Sequence, residues 1–215
     1  MNKTNYIPAL KFNWLTVFYD KLIQLTMPEK EFKNALIEQA EIKPESHVLD
    51  FGCGTLTLSV MMKQQYPNAY ITGIDVDKKV LAIAENKILK TGLKIRIDNY
   101  DGNFLPYPDG TFDKVVSSLV FHHLSTKQKQ QAAKEILRVL NSNGELHIAD
   151  WGKPSNVLMQ ILFFFLRLFD GFENTSVNGK GQLPNYLIGS GFRYTKAGKV
   201  YNTLFGTLRL IKAIK

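Results

Sequence analysis

The regular alternation of strand-like and helix-like segments between residues 46 and 151 constrains the fold of this chain more than any other feature. Five short apolar segments read as strands, and amphipathic helices follow the first, second and fourth of them. Parallel strands joined by helices need right-handed crossovers, which place helices on both faces of the sheet. We therefore predict a doubly wound α/β fold. The strands are HVLDF, AYITGID, LKIRID, DKVVSSLV and ELHIAD, the last preceded by a predicted NSNG turn.

The segments on either side extend this core into one domain. Residues 1–45 read as a helical cap of two helices, FNWLTVFYDKLIQLT and PEKEFKNALIEQA, and the second begins at Pro28 with two glutamates in its first turn, a preferred helix start. Residues 152–190 read as a helix followed by a loop. Residues 191–215 read as two antiparallel strands, which bring the expected number of strands to seven.

Composition narrows the class of protein. With 215 residues, of which 45% are hydrophobic and 21% charged, the chain has the make-up of one globular domain. The single cysteine, Cys53, excludes an intrachain disulfide, and no leader segment follows the start, so we expect a cytoplasmic protein. The net charge of +8 is spread over scattered lysines, and we expect no nucleic-acid partner.

The segment VLDFGCGTLTLS, residues 48–59, reads as a strand, a glycine-rich turn and a helix, which is typical of nucleotide-binding loops. Two features argue against a phosphate ligand. The last glycine of the dinucleotide pattern falls at Thr57, and no Lys-Ser or Lys-Thr pair follows the loop. Asp50, two residues before Gly52, would repel a phosphate and attract a cation. The loop therefore predicts a positively charged nucleoside without phosphates.

Aspartates follow the first three predicted strands, at positions 50, 75 and 101. In doubly wound sheets ligands bind beyond the carboxyl ends of the strands, so these side chains should line one crevice. S-adenosylmethionine offers an ammonium, a sulfonium, a ribose diol and an adenine. Asp75 can accept both ribose hydroxyls, and Asp101 can accept from the adenine amino group. We therefore expect S-adenosylmethionine as the cofactor, with S-adenosylhomocysteine as its product.

Four motifs in order carry a family resemblance over about half of the chain: VLDFGCGT, ITGIDVD, DGNFLPYPDGTFDKVVSSLVFHHL and EILRVLNSNGELHIADW. Together they resemble the class I S-adenosylmethionine-dependent methyltransferases of the small-molecule type, related to the ubiquinone and menaquinone methyltransferases. The resemblance implies a Rossmann-like sheet of seven strands, mostly parallel with an antiparallel C-terminal hairpin, in which residues 46–151 bind the cofactor.

The same resemblance implies roles for individual residues. Backbone groups of Gly52 and Gly54 contact the methionine moiety. Val76 packs on the adenine, and Asp101 with Gly102 recognises its edge. Backbone carbonyls near Ser117 hold the ammonium group, and Tyr19 of the N-terminal helix is expected at the same site. Leu56 stands where the family has a third glycine. A leucine there is tolerable at negative φ and unfavourable at positive φ.

His122 and His123 follow the fourth strand and are the candidate catalytic residues, with packing or capping of the next helix as the alternative. For Cys53 we expect packing within the loop and no role as a nucleophile. No metal site is expected, because Asp150 stands alone at the exit of the fifth strand.

The segment VLMQILFFFLRLF, residues 157–169, is apolar around most of its circumference and too short to span a membrane. Such a helix is wholly buried, covers an apolar substrate, or lies in a membrane interface, and packing in the core or between subunits is the alternative. With Trp14, Phe18 and Tyr19 it could form a lid. The expected inner face is Val157, Leu158, Ile161, Leu162, Phe165, Leu166 and Phe169.

These observations predict methyl transfer to a small, hydrophobic acceptor, such as a quinone precursor or lipid, by in-line displacement. Two alternatives stay open: a methyltransferase acting on nucleic acid or protein, and a non-catalytic module that only binds S-adenosylmethionine. The expected partner is a small apolar substrate, with peripheral membrane contact as an addition, and the chain is expected as a monomer or homodimer.

Overall fold

The computed structural model describes residues 28–215, apart from the side chains of Phe169 and Asp170. The predicted helix FNWLTVFYDKLIQLT, with Trp14, Phe18 and Tyr19, lies outside the described residues. The same holds for the other apolar residues assigned to that helix, Val17, Leu22 and Leu25.

Seven strands form one sheet in the order β3-β2-β1-β4-β5-β7-β6. The first five are parallel to one another, and β7 runs antiparallel between β5 and β6. The order reverses between β1 and β4, which is where such sheets bind ligands. The predicted fold class is confirmed. The strands are β1 His47–Phe51, β2 Tyr70–Asp75, β3 Arg96–Asn99, β4 Phe112–Ser118, β5 Leu140–Trp151, β6 Tyr194–Thr203 and β7 Gly206–Ile214.

Helices cover both faces of the sheet, and each face has its own apolar cluster. One cluster takes in side chains of α1, α2, α3 and α5, and the other takes in side chains of α4 and α7. The helix α4 starts with a capping box, in which Ser125 and Gln128 satisfy each other's backbone N–H groups. The helices are α1 Glu29–Ala40, α2 Thr57–Gln65, α3 Lys78–Thr91, α4 Thr126–Val139, α5 Val157–Asp170, α6 Phe172–Gly179 and α7 Leu183–Gly189, with a 3₁₀ turn at Phe121–His123.

Two predicted boundaries differ from the structure. The NSNG segment lies inside β5, where Phe112 pairs with Leu140 and Lys114 pairs with Glu145, so β5 carries extra residues as a bulge. Residues 152–190 were expected to form one helix and a loop, but they form three helices. The prediction missed α6 and α7 because both are short and weakly periodic. The division of the chain into one domain with a cap stays a prediction.

The buried face of α5 was predicted correctly at Leu166 and wrongly at Val157, Leu158, Ile161 and Phe165. Met159, Phe163 and Leu166 are its buried residues, whereas Val157, Leu158, Ile161, Phe164, Phe165 and Leu168 are all more than half exposed. The ring of Phe163 fills the space left by Gly179 and Gly206, where a Cβ atom would lie 2.6 Å and 3.2 Å from it. The absence of a side chain at these two glycines leaves room for the ring of Phe163 on the buried face of the helix. The helix is therefore not wholly buried. Within residues 28–215 no helix has both the length and the hydropathy needed to cross a bilayer.

Candidate active site

The glycine-rich loop between β1 and α2 turns through three residues with positive φ: Gly52 at 72°, Gly54 at 53° and Leu56 at 63°. The N–H groups of Gly52 and Cys53 both donate to the carbonyl of Ile74, at 2.9 and 3.0 Å, which ties the loop to the end of β2. A Cβ atom on Gly54 would meet no atom within 4 Å. The tip of the loop therefore faces open space that a ligand can enter.

Leu56 adopts the left-handed backbone conformation that the sequence analysis named as unfavourable. Its side chain is nevertheless fully buried, and its Cδ2 atom lies over Gly73 of β2, 2.5 Å from where a Cβ would stand. Left-handed geometry costs a residue with a Cβ about 1–2 kcal/mol, and burial of the side chain offsets that cost. The leucine thus points into the core and leaves the outer surface of the loop clear.

Asp75 at the end of β2 joins the loop to the neighbouring strand exit. Its Oδ2 accepts from the N–H of Gly54 at 2.9 Å, and its Oδ1 accepts from the N–H of Asp77 at 3.0 Å. Burial raises the pKa of Asp75, and the two N–H bonds act in the opposite direction. Each carboxylate oxygen can accept a further hydrogen bond. The carboxylate is therefore held in place with capacity for two hydroxyl donors.

Val76 and Gly102, predicted to share the adenine, lie together: a Cβ on Gly102 would be 3.6 Å from Cγ1 of Val76. Asp101 is exposed, and its Oδ1 accepts from the N–H groups of Asn103 and Phe104 at 2.8 and 3.1 Å. These bonds lower the pKa of Asp101. Its carboxylate shapes the loop that carries Gly102, and its contact with an adenine stays a prediction.

Asp50 lies at the end of β1 and is almost completely buried. Its Oδ2 accepts from the hydroxyl of Ser59 in α2, at 2.6 Å. Burial raises the pKa of Asp50 to about 6, and the bond from Ser59 limits the rise. The carboxylate therefore holds the N-terminal part of α2 through Ser59. The predicted attraction for a cation would act from the buried side of the loop.

Ser117 near the end of β4 is fully buried, and its hydroxyl donates to the carbonyl of Phe51 at 3.0 Å. This bond ties β4 to β1 at the point where the strand order reverses. Two buried polar atoms have no hydrogen-bond partner among residues 28–215, namely Ser118 Oγ at the end of β4 and Asn178 Oδ1 in α6. Buried polar atoms are rarely left without partners, so these two are candidates for bonds to a bound ligand.

His122 and Asp150 form a buried pair that joins the exits of β4 and β5. The Nδ1 atom of His122 lies 2.7 Å from Oδ1 of Asp150, and the backbone N–H of His122 donates to Oδ2 at 3.2 Å. The N–H of Trp151 also donates to Oδ1, at 2.7 Å. The sequence analysis missed Asp150 as part of the site. The nearness of Asp150 to His122 could have been predicted, because the carboxyl ends of adjacent parallel strands lie side by side.

Around this pair lie a second histidine and a buried lysine. The ring of His123 is 3.9 Å from that of His122, and burial lowers the pKa of His123 well below its usual value, with added effects of His122 and Lys129. Lys129 of α4 donates to the carbonyls of Leu124 and of Asn174 in α6. Burial lowers the pKa of Lys129 to about 8, and the charge of Asp150 acts against the shift.

Cys53 packs within the loop as expected from the sequence. Burial raises the pKa of its thiol, and the charges of Asp50 and Asp75 add to the effect, so the thiolate is strongly disfavoured. Within the described part of the chain no three His, Cys, Asp or Glu side chains cluster closely enough to hold a metal ion.

Comparison with known proteins adds to this geometry. The family model described as a methyltransferase domain matches residues 48–144. A demethylmenaquinone methyltransferase of Thermus thermophilus is 31% identical over 145 residues, which cover 66% of this chain and 65% of the relative. Residues 48–144 therefore form a methyltransferase domain. A demethylmenaquinone methyltransferase of Lactobacillus johnsonii is 28% identical over 182 residues, covering 80% of this chain and 74% of that protein.

The fold of this methyltransferase is shared with solved structures. A S-adenosylmethionine-dependent methyltransferase from Aquifex aeolicus superimposes with a TM-score of 0.65 at 23% identity, covering 89% of this chain and 91% of that one. The resemblance to methyltransferases stated from the four motifs is confirmed, and the matched structure from Aquifex aeolicus is described as dependent on S-adenosylmethionine. The open loop tip at Gly54, the two remaining acceptor positions on Asp75 and the apolar wall of Val76 fit an adenosyl group.

Proposed function

We propose that this methyltransferase transfers a methyl group from S-adenosylmethionine to a small hydrophobic acceptor of the quinone or lipid type, in the cytoplasm. The observation that carries the proposal is the hydrogen bond from Gly54 to Asp75, because it fixes a ribose-binding carboxylate against the tip of the glycine-rich loop. When bound, the cofactor supplies a methyl group activated by a sulfonium. The protein's contribution is to hold the acceptor in line with that methyl group.

Each residue of the crevice has a role in this proposal. Asp75 accepts the two ribose hydroxyls, and Val76 packs beside Gly102 on the adenine. Backbone groups of Gly52 and Gly54 meet the methionine moiety. Carbonyls near Ser117 and the buried charge of Asp50 favour its ammonium group, since a carboxylate stabilises a nearby cation.

His122 is the candidate base in this proposal, and His123 is the weaker candidate. A base must be neutral at the working pH and able to reach the acceptor. His122 is bonded to a carboxylate, which stabilises the protonated ring once it has accepted a proton. His123 is buried beside Lys129, and that surrounding disfavours its protonated form.

An apolar acceptor is supported by two independent observations. The relatives from Thermus thermophilus and Lactobacillus johnsonii are both called demethylmenaquinone methyltransferases. The helix α5 carries exposed aromatic side chains, among them Phe164 and Phe165, and it packs against α6, which contacts the turn that holds the histidines. Exposed apolar surface of this kind is typical of sites that meet apolar ligands or membranes.

Transfer of radiolabelled methyl from S-adenosylmethionine into a host-cell extract tests the proposal, with the extract partitioned afterwards into organic, aqueous and protein fractions. Label is expected in the organic fraction. Asp75→Asn should abolish it, because an amide nitrogen in place of one oxygen loses an acceptor for the ribose. The matched control is Asp109→Asn, an exposed carboxylate paired with Arg138 far from the crevice, which should keep wild-type transfer.

Other distributions of label would contradict the acceptor class. Label in the protein fraction or in nucleic acid would favour a macromolecular acceptor. Absence of label in every fraction, with cofactor binding intact by calorimetry, would favour the non-catalytic binding module.

A further inference from the structure

The pair of His122 and Asp150 is the most fully built polar contact at the exits of the sheet. Both side chains are almost completely buried, and Asp150 accepts three hydrogen bonds, from Nδ1 and the backbone N–H of His122 and from the backbone N–H of Trp151. Three donors hold the carboxylate in one orientation. N–H donors that bond a carboxylate fix its orientation, and a carboxylate fixed in this way can orient an imidazole.

The contact at Nδ1 decides where the ring of His122 is basic. An ionised carboxylate can only accept, so Nδ1 must carry the proton in the neutral ring. The lone pair of that tautomer lies on Nε2. We infer that Asp150 is a positioning residue that fixes His122 as a base at Nε2, and that the acceptor of this enzyme carries an acidic hydroxyl group whose proton is removed during methyl transfer. The inference rests on the function proposed above.

The proton and electron pairs balance in such a step. The acceptor O–H bond breaks and its proton passes to Nε2 of His122. The electron pair of that bond forms the new bond to the methyl carbon, directly or through conjugation, and the electron pair of the sulfur–methyl bond stays on sulfur. The proton leaves Nε2 for water afterwards. An acceptor that has no proton to lose would gain nothing from the pair.

The charged and titratable neighbours of His122 come from three elements of the described structure. Asp150 lies on β5, His123 follows on the same turn, and Lys129 comes from α4. From α6, Asn174 and Asn178 approach the turn and β5 with side chains that do not titrate. Burial disfavours the protonated form of His123 and lowers the pKa of Lys129 to about 8, so neither group is expected to change the rate on the acid side of neutrality.

The first test needs no variant. Nitrogen-15 NMR of the free protein should show the proton of the neutral ring of His122 on Nδ1, whatever the substrate is. A ring protonated on Nε2 would overturn the inference. This measurement is independent of transfer, so it stays informative if the proposed function fails.

The second test compares Asp150→Asn with wild type, using the acceptor fraction identified by the radiolabel assay. We expect kcat to fall about 10- to 100-fold, with binding of S-adenosylhomocysteine unchanged by calorimetry. The decrease in transfer rate at acidic pH should occur at lower pH in Asp150→Asn than in wild type. The reason is that the variant lacks the carboxylate that stabilises the protonated ring of His122. The double variant with His122→Gln should be no slower than His122→Gln alone.

Asp113→Asn is the control for a merely structural role. Asp113 accepts from the N–H of His47 and from Asn141 at the opposite end of β4, so its replacement also perturbs two hydrogen bonds of a strand-end carboxylate. It should lower stability without moving the pH profile. If Asp150→Asn behaves in the same way, lowering rate evenly across pH or leaving it unchanged, the positioning role is wrong. Intact cofactor binding with transfer absent even from wild type would overturn the proposed function and leave the NMR result to decide on the pair.

Discussion

Replacing Leu56 tests how the glycine-rich loop carries a leucine at positive φ. The substitutions Leu56→Ala and Leu56→Gly remove nearly the same buried side chain. They differ in one respect that matters here, because alanine keeps the Cβ that makes the left-handed conformation costly and glycine does not. The difference in stability between these two variants therefore isolates the backbone strain.

The magnitude follows from three contributions. Loss of a fully buried leucine should lower the free energy of unfolding by about 2–5 kcal/mol in either variant. Removing the Cβ recovers about 1–2 kcal/mol of left-handed strain, and the greater freedom of glycine in the unfolded chain costs about 0.5–1 kcal/mol. Leu56→Gly should therefore be more stable than Leu56→Ala by about 0.75 kcal/mol, within a range of about 0–1.5 kcal/mol, the reverse of the usual order in a helix.

Urea denaturation of the two variants measures this difference, and Met62 provides the matched control. Met62 is equally buried in the middle of α2, with ordinary helical geometry, so Met62→Gly should be less stable than Met62→Ala by about 1 kcal/mol. Opposite signs at the two positions would support the reasoning. If glycine is the less stable choice at both, the strain assigned to Leu56 does not exist.

Two further predictions concern the same region. Gly73→Ala places a Cβ 2.5 Å from Leu56 Cδ2 and should lower the free energy of unfolding by about 1–3 kcal/mol in urea denaturation. Gly189→Ala is the control, because a Cβ there has open space around it and should not lower stability. An equal effect at both sites would contradict the packing argument. Asp50 ionises with a pKa of about 6 in the folded chain against 3.8 unfolded, so its protonated form is favoured by folding and stability falls as pH rises between these values, by roughly 3 kcal/mol. Asp50→Asn should remove that fall, so the variant gains on wild type between pH 4 and pH 7, and a constant difference across this range would refute the assignment.

The doubly wound architecture and the crevice could be predicted because they follow from patterns along the chain. Alternating strands and helices leave few topologies, and the exits of parallel strands meet at one edge. That is enough to place Asp75 beside the glycine-rich loop. The hydrogen bond from the N–H of Gly54 to Oδ2 of Asp75 is consistent with this placement.

Other features depend on contacts between distant segments and could not be predicted in this way. The buried position of Phe163 in α5 depends on the space at Gly179 and Gly206, which are 16 and 43 residues further along the chain. The bond between Asp150 and His122 joins two exits that the sequence analysis treated separately. In both cases each segment taken alone is compatible with several arrangements, and only the packed structure selects one.

The contact between Leu56 and Gly73 has a consequence for how such loops are recognised in sequences. The close approach of loop and strand needs one residue of the pair to be small, and here the strand supplies it while the loop carries the larger side chain. The strand position is therefore expected to stay small among relatives whether or not the loop regains its glycine, because Sγ and Cβ of Cys53 also lie 2.9 and 3.1 Å from where a Cβ of Gly73 would stand. A motif scored on the loop alone would count this chain as degenerate, although Leu56 fills space that the strand leaves open.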